Sequence, residues 1–69
     1  QQSNSELKDL AKTYENMKPA EAAAVLEKMS NDLDTVASIL SAMKADARAK
    51  IMDEMDSAFA ANVTKKLMP

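Results

Sequence analysis

An all-α fold is predicted, with five short helices arranged as a repeat array. Three observations lead there. The chain has 69 residues, no Gly, two Pro and only two aromatics, Tyr14 and Phe59, while Ala, Leu, Met, Glu and Lys are abundant. These are good helix formers, and without Gly the positive-φ turns and strand bulges become costly. The second observation is a motif, Ala-x-β-branched-apolar-x-x-Met, present in five near-copies. It reads Ala11–Met17, Ala23–Met29, Ala37–Met43, Ala49–Met55 and Ala61–Leu67, with spacings of 12, 14, 12 and 12 between the closing residues. The third is helix-start chemistry at the junctions.

The first helix is expected over residues 5–17. Leu7, Leu10, Ala11, Tyr14 and Met17 follow helical spacing, and Ser3 with Glu6 has capping-box spacing, with Ser5 an equal N-cap candidate. The second, 19–29, starts at Pro19, whose missing N–H costs nothing in a first turn, and carries the stripe Ala22, Val25, Leu26 and Met29. The third, 31–43, is capped by Ser30 or Asn31, has Asp32 and Asp34 in its first turn, and buries Leu33, Val36, Ala37, Leu40 and Met43. The fourth, 45–55, has the weaker start Lys44-Ala45-Asp46 and the shorter stripe Ala47, Ile51, Met52 and Met55. The fifth, 57–68, is capped by Asp56 and presents Phe59, Ala60, Val63 and Leu67. Helices this short are marginal alone in water, so each must pack on its neighbours. A compact right-handed superhelix or small bundle is expected, with the recurring Ala allowing close approach and the Met and Leu filling gaps. Residues 1–5 read as a linker remnant and 6–69 as one domain.

Composition restricts function. With no His and no Cys, a zinc site of ordinary type, a disulfide and the usual partners of a nucleophilic Ser are all missing. Five thin helices leave little room for a pocket that would tune a catalytic carboxyl, so the chain is not expected to be an enzyme and no catalytic residue is assigned. Net charge is −2 and the nine basic residues are dispersed, so the basic footprint of a nucleic-acid binder is absent. No segment reaches the roughly 20 apolar residues of a membrane span. The opening Gln1-Gln2 in place of Met points to an excised fragment or a processed product.

Two sets of residues are candidate sites. Ile39 lies off the main stripe of its helix, and Met52 and Met68 also read as exposed. An apolar residue exposed in successive repeats lines a face that binds partner helices. The partner-binding candidates are therefore Ile39, Met43, Ile51 and Met52, with Lys50 among the flanking charges. The second set is the acidic run Asp53, Glu54 and Asp56. Hard cations take oxygen ligands, but neighbouring residues on a helix diverge by about 100°. A solvated helix end with Asp56 as a cap explains the run better than a metal site.

The stretch Tyr14-Glu15-Asn16-Met17-Lys18-Pro19-Ala20-Glu21-Ala22-Ala23-Ala24-Val25-Leu26-Glu27-Lys28-Met29 resembles the first full repeat of the MgtE N-terminal-like domain, and residues 30–68 continue the pattern. The resemblance implies a superhelical helix array like that of MgtE N-terminal domains and of the middle domain of the rotor protein FliG. The Tyr-Glu-x-Met-Lys-Pro opening looks most like the C-terminal domain of MotE-like and YlxF-like flagellar proteins. That implies a membrane-anchored bacterial protein whose domain lies outside the cytoplasmic membrane and binds or chaperones a motor component through an apolar face. It implies no cofactor and no membrane contact by this segment. The alternative it carries is a cytoplasmic, Mg²⁺-sensing regulatory domain of an MgtE-type transporter, with Asp53, Glu54 and Asp56 as the acidic residues concerned. Self-association is a third expectation, since a domain this small gains stability from a partner.

Overall fold

Each near-copy of the motif folds into one helix. The computed structural model describes residues 4–68, and these form α1 (Asn4–Glu15), α2 (Pro19–Glu27), α3 (Leu33–Ser41), α4 (Ala45–Asp53) and α5 (Ser57–Leu67). The described residues contain no strand. The Ser3–Glu6 capping box falls partly outside them, because Ser3 is not described. α1 begins at Asn4, inside the stretch expected to be linker.

Helix starts follow the expected chemistry with two exceptions, the first at α1, where Ser5 lies inside the helix and so is not its N-cap. Pro19 opens α2 and Asp56 caps α5, its side chain accepting from the Phe59 N–H at 3.2 Å. The cap of α3 is Asp32 rather than Ser30 or Asn31. Its carboxylate accepts from the Thr35 N–H at 3.3 Å and from the Thr35 hydroxyl at 2.7 Å. Asp32 has non-helical backbone angles, φ −142° and ψ 66°, as an N-cap requires. The first four helices also end two residues earlier than the stripe suggested. Each closing Met sits beyond its helix in a tight i→i−3 turn, with Met17, Met29, Met43 and Met55 N–H groups bonded to Tyr14, Leu26, Leu40 and Met52 carbonyls at 2.9–3.2 Å. The Met therefore plugs the end of its helix, with Met43 and Met55 buried and Met17 and Met29 partly so.

Helices pack mainly on the second neighbour. α3 lies between α1 and α5, and α2 pairs with α4, so odd and even helices form two rows joined by an α1–α2 contact. One core results, led by Leu26, Val36, Ile39, Leu40, Ile51 and Val63, with no polar or charged side chain buried among the described residues. The radius of gyration is 10.9 Å, close to the about 11 Å of a single domain of this length.

The register of this packing overturns one expectation. The first and fourth positions of the motif form a forward edge, facing the second helix ahead. Ala11, Ala23 and Ala37 are buried there, but Ala49 and Ala61 are exposed because α4 and α5 have no second helix ahead of them among the described residues. The Ala does not serve close approach in every copy. The third position, with the residue two before the motif, forms the rear edge. Ile39, Ile51 and Val63 are buried there against α1, α2 and α3, while Thr13 and Val25 are exposed.

Two glutamates join distant repeats. The Lys44 N–H donates to Glu15 Oε2 and the Asp56 N–H donates to Glu27 Oε2, both at 2.8 Å and both across 29 residues. In each case the last residue of one helix accepts from the N-cap of the third helix ahead. Arg48 performs the complementary task at the other helix pole. Its Nη1 donates to the carbonyls of Leu40 and Met43 at 3.1 and 3.5 Å, where the end of α3 favours a cation.

Candidate protein-interaction surface

The apolar face expected from the sequence is inside the protein. Ile39 and Ile51 are 2% exposed and Met43 is 5% exposed. Ile39 lies off the main stripe because α3 is covered on two sides, so it buries two stripes rather than one. Met52 is half-buried at the free forward edge of α4, and Lys50 is exposed. These five residues do not form a common accessible face, and the expectation that Ile39 is exposed is corrected.

What lies on the surface instead is a pair of shallow grooves flanking α3. Its exposed stripe is narrow, Asp34, Ser38 and Ser41. On one side, the α1–α3 groove is lined by Leu7, Leu10, Thr35 and the edge of Ile39, with Asp34 and Ser38 on its rim. Leu10 is 37% exposed there, one of three large apolar side chains exposed among the described residues; the others are Val25 and Met68. On the other side, the α3–α5 groove is lined by Ala37, Ser41, Lys66 and Leu67. A Lys66–Asp34 ion pair of 3.2 Å crosses it. Both partners are exposed, so this pair contributes little stability. The α1–α3 groove is the more apolar, and neither is deep enough to enclose a small molecule.

The acidic run does not converge. Asp53, Glu54 and Asp56 are all exposed, and no group of three or more acidic side chains among the described residues is placed to hold a metal ion. Asp56 uses its carboxylate on the N-terminus of α5. Glu54 forms the C-cap of α4, with its own N–H bonded to the Ile51 carbonyl. No helix among the described residues is long and apolar enough to cross a membrane.

The groove was missed because Leu7 and Leu10 read as ordinary stripe residues. The uncovered rear edge, by contrast, had a usable signal two residues before each motif. Asp9 and Glu21 occupy that place in the first two copies, against Thr35, Ala47 and Phe59 in the rest. The charged pair marks the edge that no helix covers. With the geometry in place, comparison with known proteins adds one finding. Over residues 3–69 the chain matches the family described as "MgtE intracellular N domain". No curated protein and no solved structure gives a significant match.

Proposed function

The chain belongs to the MgtE intracellular N domain family, and from that premise we propose that it is a non-catalytic protein-interaction domain of a MotE-like, membrane-anchored flagellar-motor protein. It lies on the outer side of the cytoplasmic membrane and binds or chaperones a motor component. The observation that supports this reading is the α1–α3 groove, where Leu7 and Leu10 are accessible side by side and line the more apolar of the two grooves beside α3. The groove fits one face of an amphipathic helix, with Asp34 on the rim favouring a basic residue beside the apolar contacts. The test is Leu10→Asp introduced into the parent protein of a motile bacterium. Leu10 is not in the core, so the domain keeps its helical circular dichroism, and swimming in soft agar is lost. Swimming at the wild-type rate with a folded L10D domain contradicts the proposal.

A second reading has one observation in its favour, the name of the family itself. In it the domain is the regulatory N-terminal part of an MgtE-type magnesium transporter and responds to Mg²⁺ through Asp53, Glu54 and Asp56. The exposed, diverging placement of these three side chains supports the first reading over the second, because a hard cation is held by converging oxygens.

A further inference from the structure

The array ends in two unmatched halves of the interface that it repeats inside. Forward edges of α1, α2 and α3 receive the rear edges of α3, α4 and α5. This leaves the forward edges of α4 and α5 open at one end, and the rear edges of α1 and α2 open at the other. The open forward edges carry no charge at their two motif positions: Ala49 and Met52 on α4, Ala61 and Thr64 on α5. The open rear edges present Asp9 and Thr13 on α1, and Glu21 and exposed Val25 on α2. Hydrogen bonding is unmatched in the same sense. Asp53 occupies the motif position of Glu15 and Glu27, yet its carboxylate has no partner among the described residues. Lys18 is an N-cap with the same extended backbone as Lys44 (φ −62°, ψ 133° against −62°, 145°). Its N–H has no acceptor among the described residues, whereas those of Lys44 and Asp56 bond Glu15 and Glu27.

We propose that a second copy of this chain docks head-to-tail, its α1 and α2 continuing the array beyond α4 and α5. The internal register fixes what would meet. The partner's Lys18 N–H takes the place three helices ahead of α4 and reaches Asp53, repeating the Glu15–Lys44 and Glu27–Asp56 links. In the α1–α3 pair, Thr35 faces Leu7 and Leu10 across the groove. The equivalent residue of the incoming α1 is Asp9, and the residues equivalent to Leu7 and Leu10 on α4 are Ala45 and Arg48. Asp9 thereby meets a guanidinium whose remaining N–H groups are available. On the second layer the partner's Glu21 comes to Ser57, at the positive first turn of α5. Its Val25 comes to Ala61 and Thr64. Each copy keeps one free end, so association is open rather than closed.

The proposal stands apart from the flagellar reading, because it uses the ends of the array and leaves the α1–α3 groove free. Sedimentation of the 69-residue chain tests it. The weight-average mass is expected to rise from 7.5 kDa to beyond twice that value with concentration. A constant monomer mass up to millimolar protein overturns the proposal. The decisive arm uses exposed positions, V25R or T13R for the rear end and A49R or A61R for the forward end, with helical content checked by circular dichroism. Each variant alone is expected to be monomeric, and a 1:1 mixture of a rear-end and a forward-end variant to form dimers and nothing larger. Oligomers from either variant alone, or a mixture that stays monomeric, overturn head-to-tail docking.

Discussion

Glu15 and Glu27 accept from N-cap N–H groups 29 residues away, so each carboxylate links the end of one helix to the start of another. These N-caps sit in extended backbone, where no intrahelical carbonyl can reach the N–H, and the alternative acceptor is water. Since both sites are near the surface, the net gain is the ordinary about 1 kcal/mol of a protein hydrogen bond rather than the full desolvation penalty. Glu27→Ala is therefore expected to lower unfolding free energy by about 1 kcal/mol in urea denaturation, with Glu27→Gln keeping part of it. No change in E27A would show that water replaces the link at no cost. Buried residues behave differently. Leu40 is fully buried in the middle helix, and truncating such a side chain costs about 2–5 kcal/mol. A domain of this size has on the order of 3–10 kcal/mol in total, so Leu40→Ala is expected to leave a large unfolded fraction at room temperature. Val25→Ala, at an exposed position, is expected to stay within about 0.5 kcal/mol of wild type. Parallel thermal melts separate the two.

α3 is the element on which the others depend. It packs against both α1 and α5, buries Val36, Ala37, Ile39 and Leu40, and holds Arg48 against its last carbonyls. Its amides are expected to exchange with solvent most slowly, and those of α1 faster, because α1 has a free rear edge. Hydrogen exchange by NMR reads this directly, and faster exchange in α3 than in α1 would contradict the packing order. The same element shows what a sequence makes legible. Stripe spacing located all five helices, since one buried face per helix leaves a 3.6-residue period. It did not reveal that α3 has two buried faces, because periodicity within one helix says nothing about how many neighbours cover it. Ile39 was therefore read as a surface residue. The charged residues Asp9 and Glu21, set against Thr35, Ala47 and Phe59 at the same register, carried that information, but only by comparison between copies. The long-range glutamate links were not legible at all, because a Glu in a last turn has the same local sequence whether or not an N-cap 29 residues away meets it.

At the scale of the molecule, the packing logic and the functional reading separate. The motif residues of the inner edges are consumed by the core, as the burial of Met43, Ile51 and Met55 shows, so these repeat residues do not distinguish a motor-associated domain from a transporter's regulatory one. What distinguishes them lies between the repeats, in the accessible α1–α3 groove and in the divergent acids at the end of α4. The measurement that tests this most directly is a Mg²⁺ titration of the domain followed by ¹H–¹⁵N NMR. An interaction domain predicts small, non-saturating shifts spread over the exposed carboxylates up to tens of millimolar metal. Saturable shifts confined to Asp53, Glu54 and Asp56 at millimolar Mg²⁺ would contradict it and establish ion sensing in its place.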